Sequence, residues 1–247
     1  MKYIILFCIP FIFFSQGIEE KLKPFTEVQL DIDAITYIEF GNEHSVQIDG
    51  RKKALKKIDI EVRGGTLVIE KKRSEGFFSF FNSTDAKDIK IKIIMKKLNY
   101  LELNGSGETN IEDITNEETT LVINGANDVF TGGSIDRLKI DIKGAGNVEL
   151  ENLFTKQFDL DIKGAGDLYV SGSTEEFDIH IKGAGDVKAY SFKTRILRSK
   201  IYGAGDVRIF VEEEIDASIY GAGSITYKGN PKRINDKIYG AGEIQKY

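Results

Sequence analysis

Cysteine is what this chain lacks most. Its single one, Cys8, sits inside an N-terminal apolar run, so a chain that loses that run has no thiol, and no disulfide can hold its fold. Tryptophan is absent, proline occurs three times and histidine twice. The two histidines, His44 and His180, lie far apart, and neither has a cysteine or an H-x-x-x-H partner, which argues against a zinc site. No Gly-x-Gly turn leads into a helix pattern, so there is no phosphate cradle. A dominant charge sign is missing as well. The 34 basic and 39 acidic residues are interspersed, which argues against a nucleic-acid partner and describes an ordinary polar surface.

An export signal opens the chain. Lys2 precedes the apolar residues 3–14 and then Ser15, Gln16 and Gly17, the layout of a signal peptide (residues 1–17) cleaved after Gly17. With Pro10 inside it, this run is too short to cross a hydrocarbon core of about 30 Å as a helix. Cys8 has no small residue just before it, so it is a poor lipid-attachment site. The mature chain keeps 33 basic residues (34 minus Lys2) against 39 acidic ones and has no second long apolar segment. Its expected location is the periplasm, the outer-membrane surface or the extracellular space; contact with a membrane stays open.

The 25 glycines are not scattered. Gly105, Gly125, Gly144, Gly164, Gly183, Gly203, Gly221 and Gly240 follow one another at intervals of 20, 19, 20, 19, 20, 18 and 19 residues, most of them in the tripeptide Gly-Ala-Gly. A fixed period of this length marks a solenoid whose coils stack one on the next. Within a coil the apolar residues alternate, as in Phe158, Leu160 and Ile162, then Leu168 and Val170 beyond the corner. The expected fold is therefore all-β: a parallel β-solenoid, or β-helix, of about 19–20 residues per coil over residues 99–247. Each coil is read as short strands joined by the Gly-Ala-Gly bend and closed by a variable connection such as 171–176. The structural corner is assigned to Gly144, Gly146, Gly164, Gly166, Gly183, Gly185, Gly203, Gly205, Gly221 and Gly223. There a positive φ or a close backbone approach excludes a Cβ.

Residues 18–98 alternate too, but without the repeat. Strand patterns at 28–32, 58–62, 66–69 and 89–93 are separated by turn signals at Gly41-Asn42, Asp49-Gly50 and Gly64-Gly65, and residues 52–57 suit one helical turn. This region is read as an irregular β-rich N-terminal cap over the first coil. Pro24-Phe25-Thr26-Glu27-Val28, the segments 41–50 and 65–69, residues 98–107 and the Gly-Ala-Gly-Asp series together resemble the putative auto-transporter adhesin, head GIN domain family, found mainly in Bacteroidetes. The resemblance covers nearly the whole mature chain. It implies a β-helical, exported, envelope-associated protein and supplies no catalytic residues.

No residues are assigned as catalytic, cofactor-binding or metal-ligating. Asp128, Asp167, Asp186 and Asp206, with Asn147, follow the corner in successive coils. A column of carboxylates is a conceivable calcium site, but it reads better as an exposed ladder partly neutralised by Lys143, Lys163 and Lys182. The candidate binding surface is Tyr202, Tyr220 and Tyr239, expected to stack about 5 Å apart, together with Phe77, Phe78, Phe80 and Phe81. That phenylalanine segment is read either as an exposed contact loop or as a plug over the rod's end. These features favour a non-enzymatic envelope or cell-surface solenoid with an adhesin-like or structural role. Its partner would be a glycan, an envelope or surface protein, or a second copy. The alternatives are a polysaccharide lyase or hydrolase and a ligand-free envelope-stress component.

Overall fold

The computed structural model describes residues 17–72 and 89–247. Residues 1–16 of the expected signal peptide (1–17) and the segment bearing Phe77, Phe78, Phe80 and Phe81 lie outside the described residues. In chain order the first part holds β1 (Ile18–Lys21), β2 (Glu27–Asp31), β3 (Ala34–Phe40), β4 (Ser45–Gly50), a single helical turn α1 (Lys52–Leu55), β5 (Ile58–Arg63) and β6 (Thr66–Lys71). Then come β7 (Ile89–Met95), β8 (Tyr100–Leu103), β9 (Ser106–Ile111) and β10 (Ile114–Ile123). The regular coils follow as β11 (Ala126–Ile142), β12 (Val148–Ile162), β13 (Leu168–Ile181), β14 (Val187–Ile201) and β15 (Val207–Ile219). The chain finishes in β16 (Ser224–Gly229), β17 (Arg233–Ile238) and β18 (Glu243–Lys246).

The whole is a parallel β-solenoid of about seven turns. Parallel registers place Ile142 on Ile162, then Ile181, Ile201, Ile219 and Ile238. The first five of these are fully buried. Each contributes about 1.5–3 kcal/mol through burial, and this repeated apolar column is the main force that holds layer on layer. Phe158 and Phe177 stack at 4.4 Å in the same core, with Phe192 edge-on to both.

The connection expected at 171–176 is not a loop. β13 runs through it, and the bends are made inside the strand where the register shifts. Buried alternation changes phase there: Leu168 and Val170 face in, then Thr174, then Phe177, Ile179 and Ile181. Gly172 supplies one of these bends with a φ of 121°, a conformation that costs a branched residue heavily. A strand that bends without leaving its ladder keeps most of its backbone groups paired on either side of the register shift.

Parallel stacking also runs on across position 99. β2 pairs with β8 on one side and β6 on the other, and β3 pairs likewise with β9 and β7, all in parallel. The second and third strands in sequence are thus lodged between later ones. Beyond β6 and β7 the direction reverses: β5 lies antiparallel on β6, β4 on β7 and β1 on β4. Of the region 18–98 expected as a cap, these antiparallel strands and α1 are the part that lies outside the parallel stack. They end the parallel stack with short or charged edges, IEEK in β1 and IDIEVR in β5.

Candidate functional site on the corner ladders

At the corner the backbone itself fills the space a side chain would need. A Cβ built on Gly144, Gly164, Gly183, Gly203 or Gly221 would lie 1.8–2.0 Å from the carbonyl oxygen of the glycine one layer below. On Gly146, Gly166, Gly185, Gly205 or Gly223 it would lie 2.0–2.2 Å from the carbonyl oxygen of the residue beneath. None of these ten has a φ in the left-handed region, so close approach is the cause and backbone strain is not. The approach is close because the layers are bonded there. Ala145, Ala165, Ala184 and Ala204 each donate their N–H to a glycine carbonyl of the coil below at 3.1 Å.

The aspartate column has a backbone role. Asn147 N–H donates to Asp128 Oδ1 at 2.8 Å, Asp167 N–H to Asn147 Oδ1 at 3.0 Å and Asp186 N–H to Asp167 Oδ1 at 2.9 Å. Asp206 N–H then donates to Asp186 Oδ1, and Ser224 N–H to Asp206 Oδ1, both at 2.9 Å. Each side chain thus satisfies a corner N–H that turns out of the ladder in the next layer. Burial pushes the Asp167 carboxyl up, but the Asp186 N–H and the Lys188 ammonium outweigh it and hold it below the ordinary aspartate value. Lys188 Nζ stands 2.9 Å from Asp167 Oδ2 and 2.7 Å from Tyr169 Oη. The expected neutralising lysines act elsewhere: Lys163 and Lys143 reach Asp141, at 2.9 and 3.6 Å. With their Oδ1 atoms committed to N–H donors, these carboxylates are poorly placed to ligate calcium. Among the described residues no group of three or more His, Cys, Asp or Glu side chains is arranged to hold a metal ion.

The column just before the first corner glycine changes character along the rod. Asn104 and Asn124 form an amide ladder with a 2.6 Å bond. Lysines at 143, 163 and 182 follow, and then three tyrosines. The rings of Tyr202 and Tyr220 lie 4.8 Å apart and 5° from parallel, those of Tyr220 and Tyr239 4.9 Å apart and 9° from parallel. Stacking covers the inner ring faces, so the strip presents ring edges and phenol hydroxyls, plus one open face on Tyr239, which is 65% exposed.

A family model, putative auto-transporter adhesin, head GIN domain, matches residues 24–231. The chain belongs to that family. Two solved structures resemble this head GIN domain chain over 94% of its length and 96% of theirs: a putative adhesin from Bacteroides fragilis (25% identity, TM-score 0.66) and a putative lipid binding protein from Parabacteroides distasonis (26%, 0.83). A putative adhesin from Parabacteroides distasonis, with the same coverage, shares the fold at 20% identity and a TM-score of 0.82. No curated protein matches the chain.

Two features of this head GIN domain chain escape a reading of the sequence. Lys228 Nζ sits over the rings of Tyr190 and Tyr247, 4.4 Å from each centroid, and with the ring contact between the two tyrosines, 5.6 Å apart, it ties the last residue to the rod. Lys228 and Tyr247 are 19 residues apart, one coil, and that spacing was the available signal. The second is an open polar depression of about 290 Å³ where β2, β8, β10 and β11 meet, lined by Glu27, Lys97, Tyr100, Glu117, Glu118 and Arg137, among others. Burial, and then the Glu102 carboxylate that accepts its hydroxyl at 2.9 Å, push Tyr100 up to about 12, so its phenol keeps its proton and donates. The depression joins strands from both sides of residue 99, a contact that no local pattern predicts. Among the described residues no helix is long and apolar enough to cross a membrane.

Proposed function

We propose that this chain is an exported, non-enzymatic, adhesin-like solenoid that binds a surface glycan along its tyrosine column. The observation that carries the reading is the in-register display of Tyr202, Tyr220 and Tyr239 at 4.8 and 4.9 Å on a rigid rod. A straight row of phenol hydroxyls with an open ring face at its end suits an extended polyhydroxylated polymer better than a compact small molecule. The family name and the adhesin-named relative from Bacteroides fragilis support the same role. An envelope protein is the other partner class, and self-association belongs to the open end of the rod. Catalysis is disfavoured by how the acids are used, since the corner carboxylates cap backbone groups in place of converging on a cleft.

The solved relative named as a lipid binding protein brings in a second ligand class. The core here is packed ring on ring and isoleucine on isoleucine, so a lipid would meet the outside of the rod and not its interior. The test is a binding screen of cell-surface glycans and envelope proteins on the purified chain, repeated with Tyr202, Tyr220 and Tyr239 all changed to alanine. Saturable glycan binding that falls at least about tenfold in the triple variant, with an unchanged circular dichroism spectrum, is expected. Undiminished binding by that variant, or glycan turnover without stable binding, overturns the reading.

A further inference from the structure

The last layer of the rod is unlike every layer below it. β17 stacks on β15 and β18 on β16, and among the described residues neither has a partner on its outer edge. All six residues of β17 are exposed, although the register continues the core columns: Ile234 lies on Ile215, Asp236 on Ala217 and Ile238 on Ile219. Ile234 and Ile238 are each 41% exposed, where Ile215 and Ile219 beneath them are fully buried. In β18 the core-facing positions are Ile244, on Ile225, and Lys246, on Tyr227. Two residues of opposite charge, Asp236 and Lys246, therefore occupy core-register positions in the terminal layer, where Lys246 Nζ donates to Asn230 Oδ1 at 3.4 Å.

These residues are arranged symmetrically about the final corner. Ile238 and Ile244 each stand three residues from Ala241; Asp236 and Lys246 each stand five. A two-fold axis that bisects the corner lays β17 of one copy antiparallel on β18 of the other. It sets Ile238 against Ile244 of the second copy and Asp236 against Lys246, and each pair forms twice. An isologous interface requires this self-complementarity, in which residue i meets j and j meets i. Laying β17 on β17 would place the Asp236 charges near one another instead. We propose that two copies of this chain close their C-terminal ends on each other in this way. Antiparallel pairing satisfies the free edge groups, and the Asp236–Lys246 pairs neutralise the charges that the interface covers. This goes beyond the glycan-binding reading and does not depend on it.

Sedimentation equilibrium of the purified chain tests the proposal, alongside Asp236→Lys, Lys246→Asp and the double reversal. All of these positions are exposed on terminal strands, so the fold is expected to persist, and thermal melting by circular dichroism checks that it does. The wild type should be a dimer, each single reversal should weaken association at least about tenfold, and the double reversal should restore most of the loss. A wild-type monomer, growth beyond a dimer, single reversals without effect, or a double reversal without rescue would each overturn it. Glycan binding measured on the same samples reads the tyrosine column separately.

Discussion

The two ends of the rod solve one physical problem differently. At the N-terminal end the stack reverses direction, and β5, β4 and β1 close it with antiparallel strands of its own chain. At the C-terminal end the coil simply continues into β17 and β18, with the core positions of β17 left exposed and Ile244 of β18 half-buried. A repeat supplies the contact between layers but not a last layer, so an end must be closed by non-repeating sequence or by something from outside. The first solution erases the period from the sequence of residues 18–98. The second keeps the period and leaves apolar surface.

The sharpest way to break this comparison is to put the same steric insult in the middle and at the open end. Gly183→Val places a branched side chain where a Cβ already meets the Gly164 carbonyl oxygen at 1.9 Å, with layers bonded above and below. It should cost about 3 kcal/mol or more in denaturant unfolding. Gly240→Val meets Gly221 at 2.0 Å, but the terminal layer that carries it has no strand paired on its outer edge among the described residues and can lift, so the cost should be about 1 kcal/mol. Equal losses at the two sites would mean that the terminal layer is as firmly held as the middle.

Removing core volume gives a cleaner contrast. Ile181→Ala, in a fully buried position, should destabilise by about 2–5 kcal/mol, whereas Ile238→Ala in the same column should cost well under that, about 0.5 kcal/mol, while the end is uncovered. If Ile238→Ala costs more as protein concentration rises, the end is covered by association.

The smallest effect belongs to the cap. His44 Nδ1 accepts the Phe25 N–H at 3.3 Å, and burial, followed by the Lys96 ammonium, holds the imidazole below its ordinary value of 6.5. Because the folded value lies below the unfolded one, the stability it contributes is present above about pH 6.5 and is lost as pH falls through the folded value. Amide hydrogen exchange at Phe25 and its neighbours should therefore quicken between pH 7.5 and 5 beyond the intrinsic pH trend, while the amides of β17 show no such departure.

How much of this was legible beforehand follows from where the information sits. The glycine interval set the register, and from it the isoleucine columns and the spacing of Tyr202, Tyr220 and Tyr239 could be read, because each depends only on counting residues within a coil. The task of Asp128, Asp167, Asp186 and Asp206 was hidden, since it depends on which way a corner N–H points, and that becomes defined only once two layers are stacked. Gly172 falls in the variable connection 171–176, where no repeated residue marks a strand. Its real work is to bend a strand that never leaves its ladder. The lodging of β2 and β3 between later strands was invisible for another reason. Pairings such as Val28 with both Leu67 and Leu101 span long stretches of chain with no repeated residue to mark them.

The side-chain oxygen that reaches up from each corner between Asp128 and Asp206 makes these layers finish their neighbours in the same manner, whatever their place in the order. A block of nineteen or twenty residues taken out of the middle would therefore leave the cut surfaces matching, and a duplicated block would fit as readily. Molecular length becomes a counted quantity, rising in steps of about 4.8 Å, and gene duplication or deletion can change the span of the molecule without redesigning the corner contacts.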